Sequence, residues 1–297
     1  MNLVSKRKIY FIISAIIIIP GLISLFLFGL KPSIDFTGGS RFEFGAKDVD
    51  TKKVEEVFKK NKTEIHSINR LENGSYRVRT NPIEQSTKTK IVDELKKNYS
   101  DLSEKSFETV GPIIGRETEI NALKSVIIAS VAIMLYIAFA FRKVSKPVAS
   151  WKFGVCAIIA LLHDVIIVIG AFSLLGHFLS IEVDALFITA LLTVMGFSVH
   201  DTIVVFDRIR ENLSKNYSRP FEDVVNDSLL ETINRSLNTS FTVMLVLFTL
   251  ILFGGESIMW FVAALLIGIT AGTYSSIFNA SQLLVVWYDF DKKRLKK

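Results

Sequence analysis

Histidine and aspartate stand side by side twice inside apolar runs, as His163 and Asp164 in LLHDVIIV (161–168) and as His200 and Asp201 in SVHDTIVV (198–205). An imidazole titrates near neutral pH and a shielded carboxylate is shifted toward the same range, so each pair has the chemistry to take up a proton and hand it on. Two such pairs could also ligate a metal. No further ligands stand at suitable spacing, however, and no nucleophile accompanies them, which argues against a metal-dependent hydrolase; no metal and no cofactor is expected. A third ionisable group, Arg235, lies in LLETINRSLNTSFTVML at the start of another apolar run. Charges in such places are expensive in hydrocarbon, so they normally face a protein interior or water and mark a path or a pair.

The elements that carry them are membrane spans. Hydrophobic residues make up 50% of the 297, and the mean hydropathy is positive, a composition far from that of soluble domains. Apolar runs cover Tyr10 to Leu30, Leu123 to Phe141, Val148 to Leu175, Val183 to Phe206, Ser236 to Phe253 and Ile258 to Tyr288. Each reaches the length of about 20 residues that crosses a hydrocarbon core. The first follows KRK but has no small-x-small cleavage site, so it reads as a retained anchor.

Basic residues cluster at Lys6, Arg7 and Lys8; at Arg142, Lys143, Lys146 and Lys152; at Arg208, Arg210, Lys215 and Arg219; and in the terminal KKRLKK. With six spans, the positive-inside rule places all four clusters, and both termini, in the cytoplasm. The formal charge of +6 is then a matter of topology, and nucleic acid need not be invoked. The expected organisation is a cytoplasmic end and span one over 1–30, an extracytoplasmic domain over 31–120, spans two to six over 121–291 with a cytoplasmic loop at 207–231, and a basic tail over 292–297.

The outer segment alternates strand and helix patterns. SRFEFG, EIHSINRL, SYRVRT and SFETVG read as strands, with a turn at Asn73 and Gly74; DTKKVEEVFKKN, capped by Asp50 or Thr51, and STKTKIVDELKKNY read as helices. The order β-α-β-β-α-β is that of a small α+β ferredoxin-like domain. It has no cysteine and can form no internal disulfide, since the single Cys156 falls in span three. In the preceding DFTGG, Gly38 and Gly39 are expected to shape the exit from span one, with Asp35 capping or pairing locally.

Depth narrows the roles. Counted inward at about 1.5 Å per residue, Asp201 lies roughly 25 Å below Asp184 and Arg235 roughly 28 Å below Gly254. These similar depths on neighbouring spans predict a buried pair, which protonation of the carboxylate would release. His163 and Asp164 lie roughly 23 Å from the cytoplasmic end of span three, outward of Asp201, as an entering proton path would require. Plainer roles exist for each: the histidines can satisfy partners at helix interfaces, and Arg235 can snorkel to headgroups. Asp207, Arg208, Arg210 and Glu211 follow the span end and suit a solvated helix. In span six, Gly268, Gly272, Ser276 and Ala280 form a small-residue stripe for close packing, while Thr273, Ser275, Asn279 and Gln282 could line a hydrated path.

SIDFTGG after span one, LLHDVIIVIGAFSLLG, GFSVHDTIVVFDRIREN, ETINRSLNTSFT and GTYSSIFNASQLL together resemble the SecF family, the smaller subunits of the SecDF protein-export complex, in order and over nearly the whole chain. The resemblance implies a resistance-nodulation-division type fold, half of a pseudo-symmetric assembly completed by SecD, in a bacterial or archaeal-type cell membrane. It implies as partners SecD, the SecYEG channel, the SecA-dependent export machinery, exported unfolded polypeptide and protons, whose gradient promotes the late steps of export. The family's proton-linked aspartate and arginine fall on Asp201 and Arg235. Ser33 stands where the family usually has glycine, His200 where it often has asparagine, and Asn279 and Gln282 where it tends to an apolar residue and proline. Two other functions remain open: a passive assembly subunit, and half of a proton-coupled small-molecule or lipid exporter of the same superfamily.

Overall fold

The computed structural model describes residues 2–47, 49–71, 74–141, 148–215 and 219–294. Asn73, Arg142, Lys143, Lys146 and residues 295–297 of the basic tail lie outside the described residues. In chain order the elements are α1 (Arg7–Phe28), a short α2 (Ile34–Thr37), β1 (Gly39–Gly45), α3 (Thr51–Lys60), β2 (Ile65–Arg70), β3 (Tyr76–Thr80), α4 (Gln85–Asn98), β4 (Ser103–Val110), α5 (Pro112–Ala140), α6 (Ser150–Leu179), α7 (Ala185–Lys215), α8 (Phe221–Phe253), α9 (Glu256–Ser275), a π-helical turn (Ser276–Ala280) and α10 (Ser281–Arg294). Six helical stretches are long and apolar enough to cross a membrane, the last running through α9, the π turn and α10. The chain forms two compact units, 32–123 and the remainder.

The smaller unit is a four-stranded antiparallel sheet in the order β2-β3-β1-β4, the ferredoxin-like arrangement. Alternation along the strands sorts its faces. Phe42, Phe44, Tyr76 and Val78 are buried with Val54, Val57 and Phe58 of α3 and Ile91, Val92 and Leu95 of α4. The intervening residues form cross-strand ion pairs, Arg77 with Glu43 at 2.6 Å and Arg41 with Glu108 at 2.5 Å. Asp50 caps α3 by accepting from the Lys52 N–H.

Gly38 and Gly39 have φ of +71° and +120°, a region that suits glycine. Space restricts them as well. A Cβ on Gly39 would lie 2.7 Å from the Thr80 carbonyl oxygen, and one on Gly38 would lie 2.9 Å from Pro112 Cα. Gly115 closes the crossing from the other side, its Cβ direction meeting Gly38 N at 2.6 Å. The cap of α2 falls to Ser33, whose Oγ accepts from the Asp35 N–H at 3.1 Å; Asp35 is the acidic residue of the first turn. Pro112 then begins α5, where its missing N–H costs nothing.

In the larger unit, small residues set how closely the helices approach. Gly21 of α1 and Gly170 of α6 abut, since a Cβ on either would lie 3.0 Å or less from the other's Cα. Gly268 and Gly272 of α9 face Val194 and Ser198 of α7, so the stripe read from the sequence is a packing seam. The stretch 207–231, expected as a cytoplasmic loop with helix around FEDVVNDSLLETI, carries α7 on to Lys215 and starts α8 at Phe221. Ile209 and Leu213 extend the buried stripe of α7, and Phe221, Val224, Val225 and Leu229 begin that of α8. The helices therefore outlast the apolar runs because their core does.

Candidate functional site

The polar centre of the helical unit is Asp164, 0% exposed. Its Oδ2 accepts from Ser198 of α7 at 2.5 Å and from Ser275 at the end of α9 at 2.7 Å. Its Oδ1 meets His163 Nδ1 at 2.8 Å, and His163 Nε2 meets Ser14 Oγ of α1 at 3.0 Å. Asn279 of the π turn donates to Ser14 from Nδ2 at 2.8 Å. The tautomer with its proton on Nδ1 satisfies both ring partners, Ser14 donating to Nε2 while it accepts from Asn279. Four helical segments thus converge on one carboxylate.

Asp201 lies one turn along α7 from Ser198, 3% exposed, and accepts from Ser240 of α8 at 3.3 Å. Thr273 of α9 donates to Ser240 at 2.7 Å. Between the two carboxylates, Ser276 Oγ donates to the Ser198 carbonyl at 3.1 Å and lies 2.8 Å from Thr202 Oγ1. Both Asp164 and Asp201 are therefore held by hydroxyls. No lysine or arginine among the described residues forms an ion pair with either.

The expected Asp201 and Arg235 pair is not formed in this structure. Arg235 is exposed and lines a cleft of about 420 Å³ with Ile203, Val204, Asp207, Arg208, Glu211, Glu231 and Thr232. Matching depth did not fix the helical face: Arg235 precedes Ser240 by five residues, which turns it by about 140° from the side that meets Asp201. His200 is also exposed, about 100° around α7 from the buried carboxylate next to it in sequence. In the cleft, Arg208 bridges Glu231 at 2.5 Å and Glu211 at 2.7 Å, and Asn212 also donates to Glu231 at 2.8 Å.

Of the residues singled out in the sequence, the structure brings together His163, Asp164, Ser275, Ser276 and Asn279 in one network and Asp201 with Thr273 in a second. It leaves Arg235 and His200 apart from both. Ser14, Ser198, Thr202 and Ser240 escaped the sequence reading. Their signal was a lone hydroxyl on an apolar face of α1, the four-residue interval from Ser198 to Thr202 on α7, and the same interval through Ser228, Thr232, Ser236 and Ser240 on α8. Among the described residues no group of three or more His, Cys, Asp and Glu side chains is arranged to hold a metal ion.

Fold and site together define a multi-pass α-helical membrane protein with a buried carboxylate core and one small sheet domain. Residues 90–290 match the family model of the C-terminal region of SecD/SecF protein export membrane proteins, and residues 23–48 match the SecD/SecF GG motif. The chain belongs to the SecD/SecF family. It is 46% identical to the protein translocase subunit SecF of Thermobaculum terrenum, over 99% of this chain and 96% of that one. It is 36% identical to SecDF of Bacillus subtilis, over 98% of this chain and 38% of that one. The crystal structure of SecDF from Thermus thermophilus, described as a translocon-associated membrane protein, superposes with a TM-score of 0.82 at 32% identity, over 97% of this chain and 39% of that one. The chain thus spans about two-fifths of the SecDF proteins it resembles, and its six-helix unit has the resistance-nodulation-division type fold of one half of such a bundle.

Proposed function

We propose that the chain is the SecF-type subunit of a protein-export translocase, which joins SecD in a cell membrane and uses the proton motive force to promote late steps of export through the SecYEG channel after SecA-driven translocation. It is a transport subunit and not an enzyme. The positive-inside pattern places both termini in the cytoplasm and the sheet domain outside, where it would help its SecD counterpart hold and release emerging polypeptide.

The observation that carries this reading is the pair of buried carboxylates held by hydroxyls, and in Asp164 by His163 as well, with no lysine or arginine partner among the described residues. Such a carboxylate can gain or lose a proton at modest structural cost, and each change alters the charge at the centre of a packed bundle. Asp201 is the coupling carboxylate. When it is ionised, Arg235 of the neighbouring helix is drawn from the α7–α8 cleft toward it; when it is protonated, Arg235 returns to the acidic side chains there. One proton crossing 100 mV supplies about 2.3 kcal/mol, enough to bias two packings of a bundle and far too little to unfold a domain. Export would therefore advance in many small strokes.

The test is gradient-driven translocation into vesicles that contain the chain with its SecD partner, comparing Asp201→Asn and Arg235→Met with the parent at matched expression. Loss of the gradient-dependent part alone supports proton coupling. Translocation equal to the parent's would make the charges structural and the chain a passive assembly subunit.

A further inference from the structure

Below the Asp164 network, the last helix carries a second buried polar side chain. Gln282 is 0% exposed, and neither its Oε1 nor its Nε2 has a hydrogen-bond partner among the described residues. A buried amide left unmatched is costly, and where a site is polar such groups are normally matched by internal water. Methionine would fill the same volume without that cost.

The position of Gln282 says what the water would connect. Asn279, three residues before it, donates to Ser14 of α1. Asp289, seven residues after it and so on the same face of α10, pairs with Arg7 of α1 at 2.9 Å. Arg7 also reaches Glu222 of α8 at 3.5 Å. Ser14 and Arg7 are themselves seven residues apart on α1. Gln282 thus sits between two polar contacts of α1, one with the π turn through Asn279 and one with α10 through Asp289, about 10 Å along the helix from the Arg7 cluster. The π turn lies directly before it, a type of irregularity frequent at functional positions.

We propose that the seam α1 forms with the π turn and the start of α10 holds internal water on Gln282, and that this water links the Asp164 network to the Arg7, Asp289 and Glu222 cluster at the end of the bundle, as a passage separate from Asp201. The proton-carrying part rests on the proton-coupled reading above; the water-holding part does not. A proton on the bound water passes to Ser14 Oγ as Ser14 gives its own proton to His163 Nε2, and the imidazole gives its Nδ1 proton to Asp164. The water loses one proton and the carboxylate gains one. Asn279 and Gln282 carry none: Asn279 orients Ser14, and Gln282 is a positioning residue for the water.

Water and proton transfer are tested separately, in the full chain assembled with its SecD partner in membranes. In a Cys156→Ala background, Gln282→Cys is compared with Leu284→Cys, a fully buried apolar position two residues away. A small aqueous methanethiosulfonate should modify the thiol at position 282 at least about tenfold faster, because only a hydrated thiol forms the reactive thiolate. Equal rates would overturn the hydrated seam. Gln282→Met should then leave thermal stability equal or raised while lowering gradient-driven translocation severalfold, with Gln282→Asn recovering part of it. A purely structural glutamine would not separate those two readouts. Full translocation by Gln282→Met would overturn the passage even if the seam is wet. Full translocation by Asp201→Asn would overturn the proton-coupled reading while leaving the labelling result to stand.

Discussion

Asp201 accepts its hydrogen bond from Ser240, 3.3 Å away, while Arg235 lies on the same helix as Ser240, five residues earlier, and faces elsewhere. The carboxylate and the arginine therefore depend on different neighbours. Removing Arg235 leaves no buried charge unmatched, since none of the described residues pairs with it. Arg235→Met should change thermal stability by no more than about 0.5 kcal/mol, as surface substitutions do, while abolishing gradient-driven translocation. Differential scanning fluorimetry of the purified chain beside the vesicle assay reads both; a large drop in melting temperature would mean that Arg235 is held in the fold after all.

Asp164 should behave in the opposite way. Its replacement by alanine leaves Ser198, Ser275 and His163 without their acceptor in a fully buried place. Each stranded group costs about 1–3 kcal/mol where it cannot find another partner. Asp164→Ala should therefore destabilise the helical unit by about 3 kcal/mol or more, and Asp164→Asn, which keeps an acceptor oxygen, by distinctly less. The ordering is checked by thermal unfolding in detergent, and equal losses for the two variants would show that the network contributes little.

The two predictions also mark what could be read from the sequence. Span number, the ferredoxin-like order of the outer unit and the burial of Asp164 inside the protein followed from hydropathy, alternation and the expense of a carboxylate in hydrocarbon. The partner of Asp201 did not follow, because depth along a helix fixes one coordinate and the face fixes another. The face of α8 is set by Ser228, Thr232, Ser236 and Ser240, which carry no charge and so attract little notice in a sequence. The helix around FEDVVNDSLLETI was expected, but the run of α7 past Phe206 to Lys215 was not, for a related reason: polar residues such as Asp207 mask a buried stripe of Ile209 and Leu213.

Two glycines of the outer unit separate conformational strain from crowding. Gly39 has both a φ of +120° and the Thr80 carbonyl 2.7 Å from where a Cβ would lie, whereas Gly74 has a φ of +81° and open space around it. Gly74→Ala should cost about 1 kcal/mol, the usual left-handed penalty for a residue with a Cβ. Gly39→Ala must also move the backbone of β3 away, so it should cost clearly more, at least about 2 kcal/mol. Limited proteolysis of the full chain, scored at the loops of the outer unit, should show rapid cleavage for Gly39→Ala and near-parental resistance for Gly74→Ala.

The seam between α7 and α9 allows a sharper test, because its fit can be broken from one side and repaired from the other. A Cβ on Gly268 would fall 2.3 Å from a methyl carbon of Val194. Gly268→Ala should push the helices apart and cost about 1–3 kcal/mol, the range for overpacked cores. Val194 is 0% exposed, and Val194→Ala alone should lose packing by leaving a small cavity. Together the two changes exchange a methyl across the interface, so the double variant should be more stable than the sum of the single losses by about 1 kcal/mol or more, a coupling expected only for residues in contact. The same separation would pull Ser198 and Ser275 off Asp164, one helical turn past Val194 on α7 and two past Gly268 on α9. Gly268→Ala should thus lose function beyond its loss of stability, and Val194→Ala should restore both. Additive effects in the double variant would show that the two helices do not meet at Gly268 and Val194.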